Sequence, residues 1–389
     1  MSIKIDIDQF SEDKREHQEL VKKDEPGFVS VKPDIEQIKE ARDNYEYENL
    51  VVIGNGGSIT TFRAYLYAFL GETDVSVRLV TTMDPDYLNN LTDDFEPENT
   101  VVMPISKSGE TVGVIESLMY FIDKDYPVCA VTSENDGALK QIVERHDYRF
   151  IEHQDVGGRF SGLTETALAP ALFAGIDVEE IREGGEEMYE KLSPKMQYNP
   201  ALNVASALYD SEQDGFQEVF TPFYSTRLFG FYPLLVQLMH ETVCKEGKGQ
   251  TFYGDIGPES QHHTNQRLFG GKENIMTMFI RTDAHEKTSI IISEDLSDIS
   301  IRGKKLAELD GQKLADSLKA EYQGVREALD DDGIPNITVT LTDVSHRTLG
   351  KLVAFLQYVG VYSAWLRNVD PFDQPDVEKS KELGFNERF

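Results

Sequence analysis

The chain has 389 residues, 40% hydrophobic and 10% aromatic, an ordinary globular composition with room for two or three domains that each bury a core. It carries 69 Asp and Glu against 38 Lys and Arg, a formal net charge of -31. Such a surface repels nucleic acid, anionic membrane and, at long range, phosphorylated ligands, so an anion site has to be built locally from backbone N–H groups and a few placed cations.

The two cysteines, Cys129 and Cys244, lie far apart in apolar stretches and supply neither a disulfide framework nor a zinc spacing. The first residues lack the apolar core of a signal peptide, and no apolar run reads as long enough to cross a bilayer. A reducing, cytoplasmic setting is the expectation.

Residues 1–48 are charged and without strong periodicity, which reads as a helical and loop layer. Order begins at the β-branched run Leu50-Val51-Val52-Ile53, followed by a helix over Ile59–Leu70. Strands are then expected at Val77–Thr82, Val101–Ile105 and Val128–Thr132, with helices at Thr111–Ile122 and Ala138–Arg145. Further helices follow at Gly162–Ala174 and Val178–Leu192. A polar stretch from Ser193 to Asn199 marks a domain boundary. Beyond it, strands are expected at Glu218–Phe223, Ile275–Arg281, Ser289–Ser293 and Ile337–Leu341. Helices are expected at Leu228–Glu241, Lys304–Leu329 and Val344–Leu366. Continuous apolar strands alternating with helices imply parallel sheets covered on both faces, an α/β fold. The expected partition is an N-terminal layer (1–48), two α/β domains (49–195 and 196–366) and a C-terminal tail (367–389).

Two strand-to-helix loops carry chemistry. In Ser106-Lys107-Ser108-Gly109-Glu110-Thr111 a buried strand leads through hydroxyls, a lysine and a glycine into a helix. A helix N-terminus offers unpaired N–H groups and partial positive charge to a phosphate, and Gly109 lets the backbone approach. Ser108 or Thr111 could instead serve as an ordinary helix cap. The second loop, Gly54-Asn55-Gly56-Gly57-Ser58, lacks the glycine at position 59 that a dinucleotide fingerprint needs, and no Walker A lysine follows. Both loops leave the carboxyl ends of strands, where open α/β sheets bind ligands, so they can face one ligand.

With three further blocks, these loops make the chain similar to the glucose-6-phosphate isomerase family, built from two sugar-isomerase (SIS) domains. The third block is Val156-Gly157-Gly158-Arg159-Phe160-Ser161. The fourth runs from Gln237-Leu238-Met239-His240-Glu241 through Gly249-Gln250-Thr251 to Ser260-Gln261-His262-His263. The fifth runs from Pro371-Phe372-Asp373-Gln374 to Lys381. The resemblance spans residues 50–381 and implies two tandem SIS-type, flavodoxin-like three-layer domains. It also implies interconversion of glucose 6-phosphate and fructose 6-phosphate through a cis-enediolate, without metal or organic cofactor.

The implied catalytic residues are Glu241 as base, Arg159 beside the enediolate, and His262 and Lys381 for ring opening. The implied binding residues are Gly57, Ser58, Ser106, Lys107, Ser108, Thr111, Gly158, Gln237 and Gln374. A second glutamate, Glu246, competes for the role of base; the spacing Gln237, Glu241, Lys245 favours Glu241. In the family the histidine comes from a neighbouring subunit, which implies a homodimer. Departures occur at Asn55, Glu110, Val243, Cys244, Asp376 and Ser380, and they bear on substrate range. Activity on mannose 6-phosphate as well, or a non-catalytic sugar-phosphate sensor, are the alternatives; the sensor would need a DNA-binding output that acidic residues 1–48 do not offer. In so acidic a chain the phosphate pocket is expected to be locally positive, assembled from Lys107, Arg159, Lys381 and a helix N-terminus.

Overall fold

A computed structural model describes residues 2–7, 15–21 and 24–388. The strands of the two main sheets, in chain order, are β1 (Ile3–Ile7), β2 (Asn49–Ile53), β3 (Ser76–Val80), β4 (Thr100–Pro104), β5 (Cys129–Thr132), β6 (Arg149–Glu152), β7 (Glu218–Tyr224), β8 (Thr251–Ile256), β9 (Ile275–Thr282) and β10 (Asn336–Leu341). The principal helices of the N-terminal half are α1 (Ile35–Arg42), α2 (Thr60–Ala68), α3 (Pro85–Asp94), α4 (Val112–Ile122), α5 (Ala138–His146), α6 (Glu165–Phe173) and α7 (Val178–Leu192). Those that follow are α8 (Pro200–Gln213), α9 (Tyr232–Val243), α10 (Leu314–Asp331), α11 (His346–Leu366) and α12 (Glu378–Asn386).

The first sheet runs β3-β2-β4 in parallel and continues through single bridges from β4 into the parallel pair β5-β6. The second has the order β1-β10-β9-β7-β8. Numbered from its own start at β7, it repeats the order of the first: second strand, first, third, fourth. Where the first sheet places β6, the second places β1, which pairs antiparallel with β10.

Side-chain alternation assigns the layers. Leu50 and Val52 of β2 face one large core, together with Val219 and Phe223 of β7 and Ile337 and Val339 of β10. Val51 and Ile53 face outward onto Leu88, Val114 and Leu118 of α3 and α4. Phe220 and Phe279 face outward onto Tyr322 and Leu329 of α10. The shared core between the sheets is filled by α2, α6, α7, α8, α9 and α11, so both units stand on one interior.

Four expectations are corrected. Residues 3–7 are a strand, not part of a helical layer: Ile3, Ile5 and Ile7 turn to the core while Lys4 and Asp6 pair outside with Asp283 and Arg326. Ser289–Ser293 makes one isolated bridge only, and the helix expected from Lys304 begins at Leu314, after Gly311 takes φ +76°. An apolar run of membrane-spanning length does exist, α11. Of its most apolar window 94% is buried, because it is the central helix of the shared core.

Candidate active site

The strand order reverses direction between β2 and β4, and the loops after both strands open into one cleft of about 670 Å³. Ligands sit at such a switch point because the two loops diverge there. Gly57, Ser58, Lys107, Ser108 and Thr111 line the cleft from these loops. Gly109 takes φ +69°, and the loop docks onto the start of α5, where Gly109 O accepts from Leu139 N at 3.0 Å. Glu110 turns away from the cleft: its Oε1 accepts from Ala138 N at 2.9 Å at the N-terminus of α5. A glutamate in the loop is thereby compatible with an anion beside it.

Thr111 precedes α4 but makes no side-chain cap bond, so the helix N-terminus stays open. Its hydroxyl meets Ser106 Oγ at 2.9 Å instead. Ser106 is 1% exposed and lies behind the cleft wall rather than on it. Its place is to orient Thr111. Lys107 Nζ is 2.7 Å from Asp155 Oδ1, and the lysine holds that fully exposed carboxyl below its usual range.

Gly158 and Arg159 enter from the loop after β6. Gly158 packs directly on Gly57: a Cβ on Gly57 would sit 2.1 Å from Gly158 C. From behind, Gln357 Nε2 donates to Phe160 O at 3.0 Å, which pins this loop to α11. Arg159 is 4% exposed. Its Nη2 donates to Pro371 O at 2.7 Å and Asp373 O at 2.8 Å, and its Nη1 to Gln374 Oε1 and, at 3.4 Å, to Glu241 Oε2. Burial depresses the guanidinium, and Glu241 opposes that effect. Lys245 clamps the same tail segment through Asp370 O and Asp373 Oδ1.

Glu241 and Gln237 lie one turn apart on α9 and both line the cleft, with Gln237 Nε2 donating to Glu241 Oε1 at 3.1 Å. Glu246 lies past the end of α9 at φ +54°, 68% exposed and paired with Lys248, outside the cleft lining. Gln374 and Lys381 complete the wall from the tail; Lys381 Nζ rests on Glu378 at 2.7 Å. His262 is not brought there. It is exposed, in the turn between two short helices at Gly257–Ser260 and Thr264–Gly270.

The expectation of a locally positive pocket is corrected. Lys107, Arg159 and Lys381 share the lining with Glu134, Glu152, Asp155 and Glu241, three cations against four carboxylates. Attraction for an anion there would have to come from the loop N–H groups and from where the cations stand. His153 also lines the wall; burial lowers its pKa, which leaves it neutral near pH 7. Nothing in the sequence singles out Asp155 or His153, and the spacing that included Lys245 did not show its reach to the tail.

A loop of hydroxyls and a lysine at a helix N-terminus and a flanked carboxylate, sharing one cleft at the switch point of a parallel sheet, fit a sugar-phosphate isomerase class of site. The sequence profile of the family "Phosphoglucose isomerase" matches residues 40–386. The chain is 30% identical to a glucose-6-phosphate isomerase of Acholeplasma laidlawii, over 90% of this chain and 85% of that one. It is 28% identical to one of Methanocaldococcus jannaschii, over 92% and 88%. Among solved structures, a hypothetical protein of Thermus thermophilus superposes with a TM-score of 0.85 at 27% identity, over 96% and 94% of the two chains. The fold also matches a Chlamydia trachomatis glucose-6-phosphate isomerase at a TM-score of 0.73 and 22% identity, over 98% and 80%. The chain belongs to the phosphoglucose isomerase family.

Proposed function

We propose that the protein interconverts glucose 6-phosphate and fructose 6-phosphate, with Glu241 as the base. The C6 phosphate lies against the N-terminus of α4, with Ser108, Thr111 and Lys107 as donors. After ring opening, Glu241 removes the C2 proton. The C–H pair becomes the C1=C2 bond of a cis-enediolate, and the C1 carbonyl pair moves to O1. Glu241 then returns the proton to C1 as the O2 proton passes to O1 and the carbonyl forms at C2. Arg159 stands where it can stabilise the enediolate oxygens from a nearly dry position, which makes its charge count for more. Lys381 serves ring opening.

One observation carries this reading: of the two competing glutamates, Glu241 alone shares the cleft with the phosphate loop, between Arg159 and Gln237. Fructose 6-phosphate conversion by the purified chain, without added metal, tests it. Glu241→Gln should lose roughly 10²- to 10⁴-fold in kcat, and Glu246→Gln should stay close to wild type. An inactive wild type, or an active Glu241→Gln, would sink the assignment.

The exposed position of His262, outside its own chain's cleft, supports a homodimer in which a partner supplies the histidine. Exposed Ile291 and Ile301, on the excursion between β9 and α10, add apolar surface for self-association. Sedimentation of the same preparation should return two chains per particle, and one chain would refute this. The free cysteines Cys129 and Cys244 fit a cytoplasmic setting, and the net charge of -31 disfavours nucleic-acid or membrane partners.

A further inference from the structure

Glu241 is held by a chain of hydrogen bonds that begins in the other unit. Gln237 Nε2 donates to Glu241 Oε1 at 3.1 Å, and Gln237 Oε1 accepts from Thr60 Oγ1 at 2.9 Å. The direction of this chain is fixed chemically. An ionised carboxylate only accepts, so the amide must turn its NH2 group toward Glu241. Its carbonyl then faces Thr60, whose hydroxyl must donate. Thr60 is 8% exposed, opens α2 directly after the Gly54–Ser58 loop, and does not line the cleft. Gly56 walls the amide on another side: a Cβ there would lie 3.1 Å from Gln237 Nε2.

We propose that Thr60 is a positioning residue for the base, locking the Gln237 amide so that it presents one Glu241 oxygen to the substrate. The inference rests on Glu241 being the base. With Oε1 occupied by the amide N–H, Oε2 is the oxygen left to take the proton from C2 and return it to C1. Carrying one proton between adjacent carbons requires a carboxylate that keeps its orientation throughout. Arg159 meets Oε2 only at 3.4 Å, a weak restraint, so the orientation depends on Gln237. Without the Thr60 hydroxyl the amide can make a half-turn. Its carbonyl then opposes the ionised carboxylate, which swings out of line.

The test pairs Thr60→Val, which keeps the shape and loses the hydroxyl, with Thr60→Ser, which keeps the hydroxyl. Fructose 6-phosphate kinetics should show kcat down about tenfold in Thr60→Val with KM within about twofold, since misplacing a reacting group acts on the transition state rather than on binding. Thr60→Ser should stay within about twofold of wild type. The Gln237 side-chain amide ¹⁵N–¹H resonance, assigned by its absence in Gln237→Leu, should move in Thr60→Val and hold in Thr60→Ser. Wild-type kcat with an unmoved amide resonance in Thr60→Val, or Thr60→Ser as slow as Thr60→Val, overturns the proposal. If Thr60→Val does not fold, Thr60→Ala removes the same hydroxyl without adding bulk and is read by the same criteria. Glu241→Gln separates the two levels. An active Glu241→Gln removes the function reading and this inference with it. An inactive Glu241→Gln beside a wild-type-like Thr60→Val removes this inference alone.

Discussion

Gly57→Ala tests the joint between the loops that form the cleft. A Cβ on Gly57 would lie 2.1 Å from Gly158 C, 2.4 Å from Gly158 O and 2.6 Å from Arg159 N. All three are backbone atoms, and ordinary carbon contacts begin near 3.5 Å. The loops would have to part by more than about 1 Å, and neither can yield easily. Gly57 continues into α2, while Gly158 is pinned through Phe160 O to Gln357. Overpacking of this kind costs about 1–3 kcal/mol of stability. The larger effect should be kinetic, because the same displacement moves Arg159 and Ser58 relative to Glu241. A shift of ~1 Å in positioned groups lowers turnover by about 10²-fold. Gly157→Ala supplies the control, since its Cβ would meet only Phe160 Cδ2 at 3.9 Å. Denaturant melts and fructose 6-phosphate kinetics on both variants give the comparison. If the two alanines behave alike, the Gly57–Gly158 contact does not set the cleft.

Two further outcomes follow from charge. With Lys107 holding the phosphate as proposed, the substrate competes with Asp155 for it, so Asp155→Asn should lower KM about two- to threefold at 0.1 M ionic strength. The difference should fade toward 1 M salt as the screening length falls from about 10 Å to about 3 Å; an unchanged KM at low salt would show that Lys107 does not hold the phosphate. His240 Nε2 accepts from Phe252 N at 2.8 Å, and burial lowers its pKa from 6.5. Its contribution to stability is complete above pH 6.5 and is lost as pH falls through the folded-state value. His240→Gln keeps an acceptor but does not titrate, so its unfolding free energy should fall less between pH 7.5 and 5. Equal slopes would remove His240 as a cause and leave the depressed histidines His153, His285 and His346.

The parallel sheets were legible wherever a strand is buried on both faces. β2, β4 and β5 read as apolar runs closed by Gly, Ser or Thr, and the site loops follow directly from them. β6 and β8 escaped because Arg149–Glu152 is short and partly exposed and Thr251–Ile256 contains Gly254 and Asp255. β1 escaped because its alternating isoleucines are separated by charges that find ion-pair partners only in the folded chain. Local pattern picked out the loop 106–111 but could not show that Ser106 turns inward to Thr111. It could not show that Lys107 meets Asp155, that Lys245 clamps residues 370–373, or that Thr60 reaches Gln237. All but the first depend on a partner distant in sequence, 125 residues away for Lys245 and 177 for Thr60.

The antiparallel strand β1 also guards the second sheet. β10 is buried along its whole length and would otherwise present an apolar edge with unpaired N–H and C=O groups, the kind of edge that recruits strands from other molecules. Its cover is synthesised long before it, so Ile3–Ile7 must wait through most of translation for a partner. A chain that has lost this short segment would keep every residue of the catalytic cleft and yet be prone to aggregate through β10. Solubility and catalysis thus depend on different parts of the sequence.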